Sequence, residues 1–172
     1  MGMKIKHPLS KKDVKKIIEE MTKMFGEEVA TKLISKNDQV LVGEFDKTTQ
    51  ILFVNGKPRF IRREKLIFPL VITLYELSDK EDLRKWRRRV VVDQGAVPHI
   101  LNGADVMAPG IVDADEEIKE GDFVFVVEEE YGRPLAIGIA LMDGKTMKEK
   151  KKGKAVKVIH HAKDKIWELT AV

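Results

Sequence analysis

Apolar residues recur at helical spacing near the start of the chain. Lysines fall largely between them, and Ser10 immediately before the pattern is a typical helix N-cap residue. We predict a helix from this point to Gly26, and a short second helix in "EEVATKLIS". The apolar positions are Val14, Ile17, Ile18, Met21, Met24 and Phe25, and the lysines are Lys11, Lys12, Lys15, Lys16 and Lys23. These lysines are interpreted as a solvated face, with an RNA-facing surface as the alternative.

From Gln39 the pattern changes to that of β-strands. "QVLVGEF" and "QILFV" are rich in β-branched and aromatic residues, and Asn55-Gly56 predicts a hairpin into "RFIRRE". "LIFPLVITLYEL" predicts a further strand, in which Pro69 belongs at a sheet edge or a bulge. The first half is therefore predicted to be α+β, with two helices against a small antiparallel sheet.

The charged segment "SDKEDLRKWRRR" marks a predicted boundary between a domain over residues 1–86 and a second over residues 87–172. The second half alternates short apolar segments with turn residues at Gly121-Asp122, Tyr131-Gly132 and Asp143-Gly144. Its predicted strands are "RVVVD", "FVFVVEEE", "LAIGIALM", "KAVKVIHH" and "KIWEL", with a short helix near "VPHILNG". This spacing predicts a compact, largely antiparallel barrel.

Composition narrows the classes of function. The chain has no cysteine, which excludes disulfides and thiolate metal sites, and it has no long apolar run of the kind that spans a membrane. We therefore expect a cytoplasmic protein without a signal peptide and without a membrane partner. Up to Arg89 there are 21 Lys and Arg residues against 13 Asp and Glu, and from Val90 there are 11 against 15. Basic charge concentrated in one half favours a polyanionic partner such as RNA, DNA or an acidic membrane surface, although a solubilising surface is the alternative.

Motifs for catalysis and for metal binding are missing from the sequence. His160 and His161 are adjacent on a predicted strand, so their side chains point to opposite faces and cannot chelate one ion together. No HExxH, Walker or GxSxG motif occurs, and the acidic clusters around Asp113 and Glu128 are interpreted as a solvated rim. We predict no catalytic residue, no metal and no cofactor. A rival hypothesis places an enzyme site in the first half, with Arg59, Arg63 and Glu64 on one strand.

The stretch "DQGAVPHILNGADVMAPGIV", residues 93–112, is unusually small and smooth for a chain that is 35% charged. Either the core requires a tight internal turn here, or the stretch forms a surface that a ligand approaches closely. Gly95-Ala96 and Gly103-Ala104 carry little side chain, so nucleic acid can lie against the main chain. Exposed N–H groups in glycine-containing turns also donate to phosphate oxygens.

Four blocks of the second half resemble a known domain in their order and spacing. "VVVDQGAVPHILNGADVMAPGIV", "IKEGDFVFVV", "PLAIGIALM" and "GKAVKVIHHAKDKIW" are similar to the PUA domain, the small RNA-binding barrel of pseudouridine synthases and archaeosine transglycosylases. With a basic α+β domain before it, the layout resembles the malignant-T-cell-amplified-sequence family, which includes the N-terminal part of ligatin-type translation factors and archaeal relatives. The resemblance implies an α+β protein with a C-terminal PUA-type mixed β-barrel.

The resemblance also implies an RNA-binding surface along the small-residue stretch. The residues carried over are Gly95, Ala96, Gly103, Ala104, Met107 and Gly110. The alternative is that Gly103-Ala104 forms a purely structural turn, that Gly110 follows Pro109 in a turn, and that Val106, Met107 and Ile111 belong to the core. Charge adds a patch at the domain junction and a second one in the barrel. The junction patch is Arg84, Lys85, Arg87, Arg88 and Arg89, and the barrel patch includes Lys151, Lys152 and Lys154. Trp86 suits base stacking, and Trp167 is interpreted as a barrel plug.

These observations predict a non-catalytic RNA-binding protein of translation, acting in initiation or in post-termination recycling. By resemblance, its partners are the small ribosomal subunit, through rRNA, and tRNA. The resemblance also implies a protein partner that supplies an initiation-factor-like domain. The alternative is an accessory RNA-binding factor in ribosome biogenesis or RNA modification.

Overall fold

The computed structural model describes residues 3–171 and divides into two compact units, Met1–Thr73 and Leu74–Val172. The domain boundary between residues 86 and 87 stays a prediction. The first unit contains five strands and two helices, and a third helix, α3 (Val71–Leu77), crosses the division. The strands are β1 (Lys4–Pro8), β2 (Val40–Glu44), β3 (Thr49–Val54), β4 (Lys57–Arg63) and β5 (Leu66–Pro69), and the helices are α1 (Lys11–Phe25) and α2 (Glu27–Leu33).

Helix α1 forms as its sequence pattern predicts. Ser10 is the N-cap, and its Oγ accepts the Asp13 N–H at 3.1 Å. The buried face of the helix is formed by five of the six apolar positions, and the helix ends at Phe25. These five are Val14, Ile17, Met21, Met24 and Phe25. The Phe25 ring packs against the Phe68 ring of β5, with 5.5 Å between the ring centroids. This contact fixes the end of the helix on the sheet. The short second helix, α2, is also confirmed.

The sheet of the first unit is antiparallel throughout, in the order β1-β2-β3-β4-β5. The hairpin at Asn55-Gly56 is confirmed, and both residues have the positive φ angles of a type I′ turn, 51° and 86°. Pro69 lies on the edge strand, as predicted. The single long strand predicted over "LIFPLVITLYEL" is wrong, because the strand ends at Pro69 and α3 follows. Thr73 ties this helix to the sheet by donating to the Arg59 carbonyl at 2.8 Å.

The second unit contains a six-stranded mixed sheet, in the order β7-β11-β10-β9-β6-β8, that forms a nearly closed barrel. Strands β6 and β9 pair in parallel and the other neighbours are antiparallel, as a PUA-type mixed barrel requires. The strands are β6 (Arg89–Val92), β7 (Val106–Met107), β8 (Ile111–Ala114), β9 (Phe123–Glu128), β10 (Pro134–Ala140) and β11 (Lys154–His161). The helices are α4 (Val97–Leu101), α5 (Gly144–Glu149) and α6 (Lys165–Thr170).

The interior of the barrel is closely packed with aliphatic side chains. Val90, Val126, Ala136 and Val156 come from four neighbouring strands and are all fully buried. Ile100 of α4 packs into the same cluster, which seats that helix on the barrel. No helix within residues 3–171 combines the length and apolar character that crossing a membrane requires.

Two segments of the second half are helical where the sequence pattern predicted otherwise. "KIWEL" was predicted as a strand, but Asp164 caps it as helix α6, in which Ile166 and Thr170 are buried one turn apart. The predicted turn at Asp143-Gly144 is instead the start of α5, because the Asp143 carboxylate accepts the Thr146 N–H at 2.7 Å. A short apolar run such as "KIWEL" is compatible with either a helix or a strand. In both segments, an aspartate at the N-cap position favours the helix.

Strands β10 and β11 approach so closely at Gly138 that a side chain does not fit. A Cβ atom at this position would lie 2.3 Å from the Lys157 carbonyl oxygen. We expect Gly138→Ala to lower the free energy of unfolding by about 1–3 kcal/mol, because the strands must separate to accept the methyl group. Urea unfolding measures the change. Gly95→Ala is the matched control, since its Cβ meets nothing closer than 3.4 Å, and equal stability of the two variants would contradict this account.

Asp164 links the stability of the barrel to pH. Its carboxylate accepts hydrogen bonds from His160 Nδ1 at 2.9 Å and from the N–H groups of His161 and Trp167. Burial raises the pKa of Asp164, but these contacts outweigh it, so the pKa lies below the usual 3.8. The group therefore stabilises the fold above about pH 4, and this stabilisation is lost as the pH falls through the lower folded pKa.

We expect the difference in unfolding free energy between the wild type and Asp164→Asn to be largest above about pH 4 and to shrink at lower pH. Asparagine keeps the size of the side chain and its capping oxygen, so the comparison isolates the charge. Urea titrations at a series of pH values measure the difference. A difference that does not change with pH would rule out this role for the carboxylate.

Candidate nucleic-acid interface

The small-residue stretch folds back on itself through contacts of Asp93. The Asp93 N–H donates to the Gly110 carbonyl at 2.9 Å, and the Asp93 carboxylate accepts the Ala96 N–H at 3.0 Å. The first contact holds the end of β6 beside the 3₁₀ turn Ala108–Gly110. The second caps the 3₁₀ turn Gln94–Ala96 that leads into α4. The two ends of the stretch are thereby held side by side.

Between these ends lies an open groove of about 520 Å³, a volume typical of small-ligand sites. Its surface is mainly apolar, with Ile100, Val106 and Met107 among the residues that form it. Met107 is 46% exposed, which is unusual for a methionine beside a core. The full lining is Asp93, Gly95, Ala96, His99, Ile100, Ala104, Asp105, Val106, Met107, Pro109 and Gly110.

The structure brings five of the six carried-over residues to this groove: Gly95, Ala96, Ala104, Met107 and Gly110. The alternative interpretation of Met107 as a core residue is wrong, because the strand register turns its neighbour Val106 inward and leaves Met107 outside.

Gly103 lies just beyond the groove lining, at the end of α4. Its φ of +94° is in the region that only glycine adopts easily, and its N–H donates to the Ile100 carbonyl at 3.0 Å. A Cβ there would lie 3.5 Å from Nε2 of His161, and the His161 Nδ1 is 2.9 Å from the Ala162 carbonyl. Gly103 thus terminates the helix and leaves the ring nitrogen of His161 close to the main chain.

Four polar or cyclic residues of the groove were not predicted as site residues: Asp93, His99, Asp105 and Pro109. His99 lies on α4 and is exposed. Its position one helical turn after Gly95 and Ala96 is the signal that places it on the same face. Asp105 carries no such signal, because its place depends on contacts with β11.

Lys154 borders the groove through the pairing of β7 with β11. It lies opposite Met107 in the register, and its Nζ is 3.5 Å from Oδ2 of Asp105. The other carboxylate oxygen of Asp105 accepts the Val158 N–H at 3.0 Å. Lys151 and Lys152 are exposed on the loop that leads into β11, and Gly153 of this loop accepts the Ala108 N–H at 2.9 Å. The three predicted lysines therefore belong to one rim.

The junction arginines do not form the open basic patch that the sequence predicted. Arg88 donates to the Phe123 carbonyl at 3.0 Å, and Arg89 forms an ion pair with Asp113 at 2.9 Å. Both side chains are less than a quarter exposed. Among residues 3–171, Lys85 and Arg87 are the members of the patch that are exposed and lack an ion pair. The other members are used inside the second unit because they hold strand ends and turns together.

Arg84 and Arg133 fasten the segment before the barrel to the turn between β9 and β10. Arg84 forms an ion pair with Asp82 at 2.8 Å and donates to the carbonyls of Glu129 and Glu130 at 2.7 and 2.9 Å. The hydrogen bond with Asp82 raises the pKa of Arg84. Arg133 reaches back from the turn to Asp79 at 2.9 Å. Arg84 is thus committed to a contact within the protein.

The two tryptophans occupy other places than those predicted. Trp86 is buried and packs edge-on against Phe125 at 6.3 Å, so it presents no open face for a base. Trp167 lies on α6, half-buried, with its ring edge-on to Tyr75 at 5.9 Å. It therefore covers the outside of the unit and does not plug the barrel.

Two residues of the acidic clusters are structural and do not belong to a solvated rim. Asp115 is buried and accepts the Arg88 N–H at 2.7 Å. Glu128 is buried and accepts the N–H groups of Tyr131 and Arg133 at 2.8 and 3.0 Å. Burial raises the pKa of Glu128, but the hydrogen bonds from these donors lower it by more. The pKa therefore lies below its usual value and the carboxylate stays charged. Both carboxylates therefore have a structural role, as hydrogen-bond acceptors for main-chain N–H groups of the second unit.

Arg59 and Glu64, two of the residues proposed for an enzyme site in the first half, line two different hollows. Arg59 lines a hollow at the end of α2, where it donates to the Lys32 and Leu33 carbonyls at 3.4 Å. Glu64 lines a different groove, between α1 and β5. In the part of the chain that the structure describes, no group of His, Asp and Glu residues has the arrangement of a metal site.

Comparison with known families identifies both halves of the chain. Residues 88–162 match the model of the PUA domain. Residues 5–77 match a family described as a domain of unknown function (DUF1947). The two matches follow one another along the chain, in the order that the resemblance implies.

Relatives with the same layout extend along nearly the whole chain. A structure titled as a hypothetical protein of Pyrococcus horikoshii is 79% identical, with a TM-score of 0.94, and covers 95% of this chain and 98% of that one. A conserved PUA domain protein of Thermoplasma acidophilum is 33% identical, with a TM-score of 0.72 and the same coverage. Translation machinery-associated protein 20 of Saccharomyces cerevisiae is 25% identical over 97% of this chain and 91% of its own length.

Two further matches bear on the family. Human malignant T-cell-amplified sequence 2 is 26% identical over 80% of this chain and 75% of its own length. A probable tRNA pseudouridine synthase B of Nanoarchaeum equitans is 41% identical, but over only 45% of this chain and 22% of its own length. Taken together, the matches support RNA binding in translation. The chain therefore belongs to the family of PUA-domain proteins that includes translation machinery-associated protein 20 and the malignant T-cell-amplified sequences.

Proposed function

We propose that the protein is a non-catalytic RNA-binding protein of translation that holds unpaired nucleotides in the groove along α4. The observation that carries this proposal is the groove itself, an open and mainly apolar surface formed by Gly95, Ala96, Ala104, Met107 and Gly110. Small residues let a flat base approach the main chain, and apolar surfaces suit the faces of bases. An exposed methionine adapts to different ring shapes.

Phosphates would be held at the rim of the groove and not in its floor. The lining contains two carboxylates, Asp93 and Asp105, which repel phosphate. Each already accepts a main-chain N–H, so both are part of the frame. Lys151, Lys152 and Lys154 supply positive charge beside the groove. This division supports base contact in the groove and backbone contact at the lysine rim.

The relatives support translation as the process. Translation machinery-associated protein 20 matches along almost the whole chain, including the first unit, which a general RNA-binding barrel does not require. We propose that the protein acts in the cytoplasm on the small ribosomal subunit and on tRNA, in initiation or recycling. A separate polypeptide with an initiation-factor-like domain completes the proposed assembly.

A second candidate function is an accessory role in ribosome biogenesis or RNA modification. The match of the barrel to a probable tRNA pseudouridine synthase favours it, although that match leaves out the first unit. Co-sedimentation separates the two. Binding to mature archaeal small ribosomal subunits supports the translation role, whereas retention of precursor rRNA alone supports the accessory role.

Filling the groove tests whether bases enter it. We expect Ala104→Leu to weaken the binding of a fluorescein-labelled oligouridylate by about tenfold, comparable with one lost base contact of ~1–3 kcal/mol. Fluorescence anisotropy measures the affinity. Val112→Leu is the control, since Val112 is exposed on β8 and is not among the groove residues. Undiminished binding by Ala104→Leu, with the fold intact by circular dichroism, would exclude the groove.

Neutralising the rim tests the assignment of the phosphates. We expect the triple variant Lys151→Gln, Lys152→Gln, Lys154→Gln to bind the oligouridylate more weakly and to depend less steeply on salt. For single strands the log–log slope changes by about 0.7 per phosphate contact, so the loss of three contacts lowers it by about 2. Anisotropy titrations at several salt concentrations give the slope. An unchanged slope would place the phosphate contacts elsewhere.

A further inference from the structure

The excess of positive charge lies in the first unit and not in the PUA barrel. Residues 1–73 contain 15 Lys and Arg against 9 Asp and Glu, whereas residues 74–172 contain 17 against 19. The arginines near the start of the second unit are largely used in internal contacts, as described above. We therefore expect the first unit to contribute to the electrostatic attraction of a polyanion, a contribution that the groove and its lysine rim do not explain.

Three lysines form a continuous strip on the outer face of α1: Lys11, Lys12 and Lys15. All three are exposed. Lys15 follows Lys11 by four residues and Lys12 by three, so it lies beside both of them on the helix surface. The buried face of the helix, with Val14, Ile17 and Met21, lies on the other side. We call these three residues the lysine strip. Lys16, the next lysine, lines a groove in which the positive charges and the negative charges are equal in number, so it is left out of the strip. The charged residues of that groove are Asp13, Lys16, Glu20, Arg62, Glu64 and Lys65.

The lysine strip is unfavourable for the helix that carries it. The N-terminal end of a helix carries partial positive charge, so cations in its first turns lower helix stability and anions raise it. Asp13 is the one acidic residue in the first turn of α1. Within residues 3–171, no carboxylate lies within ion-pair distance of the three strip lysines. The fold gains no contact from these charges, and glutamine would serve a merely solvated face equally well.

We propose that the lysine strip binds the phosphate backbone of RNA and forms a second RNA contact, on a different compact unit from the groove. This inference rests on the proposed function, because it requires an RNA ligand. A row of unpaired ammonium groups on a helix face suits the evenly spaced charges of a nucleic-acid backbone. Such contacts carry no sequence information, so the strip supplies affinity and the groove supplies selectivity.

The test is the triple variant Lys11→Gln, Lys12→Gln, Lys15→Gln in the full chain, with the fluorescein-labelled oligouridylate as the probe. The matched control is Lys23→Gln, Lys36→Gln, Lys47→Gln, which removes the same charge from exposed positions of the same unit. We expect the strip variant to lower the salt slope by about 2 and the control to leave it nearly unchanged. We also expect the thermal midpoint of the strip variant to stay equal or rise, since a repulsion with the helix dipole is removed.

Several outcomes would overturn the proposal. Equal losses in the strip variant and the control would show an effect of net charge alone. A strip variant that binds with the wild-type slope would show that the lysines do not contact RNA, and a lowered thermal midpoint would assign them a structural role. Binding of the wild type to phosphatidylserine vesicles through the strip, without binding to the oligouridylate, would show a membrane ligand.

The outcome for the groove is distinguishable from the outcome for the strip. If Ala104→Leu loses affinity and the strip variant does not, the strip proposal fails while the proposed function stands. If the wild-type chain does not bind the oligouridylate at any salt concentration, the proposed function and the strip proposal fail together.

Discussion

The hydrogen bond from the Asp93 N–H to the Gly110 carbonyl is the constraint on which the groove depends. It joins the end of β6 to the start of β8, with α4 and β7 looped out between them. Because the carboxylate of the same residue caps the turn before α4, one aspartate fixes both walls. Side chains larger than those of Gly95, Ala96 and Gly110 would fill the space that this contact creates. An open groove therefore requires both the small side chains of this segment and its hydrogen bonds.

Arginine and lysine have different roles in the second unit. Arg84, Arg88, Arg89 and Arg133 each donate to a carbonyl or a carboxylate within the unit, as suits a planar group with several fixed donors. The exposed lysines of the β11 rim make few contacts. Counting basic residues along the sequence overestimates the charge available to a ligand, because it does not distinguish these two uses.

Much of the fold could be predicted from the sequence, since long amphipathic patterns and strong turn signals determine it locally. The N-cap at Ser10 and the hairpin at Asn55-Gly56 are of this kind. The segments "VITLYEL" and "KIWEL" could not be predicted, because short apolar runs satisfy either period and distant contacts decide between them. At the candidate site, the family resemblance located the small residues. Asp105 could not be found in the same way, because its place depends on the Val158 N–H and Lys154 of β11.

The fastening of Arg84 to the Glu129 and Glu130 carbonyls has a consequence for how this barrel is inherited. The segment just before β6 has the sequence of a charged linker, but through Arg84 it is part of the barrel structure. We call this segment the clasp. Gene fusions that transplant the module would have to carry the clasp along or replace it. A fusion protein whose barrel begins at residue 87 would lack Arg84. The carbonyls of the β9–β10 turn would then face water, and we expect this turn to be less rigid.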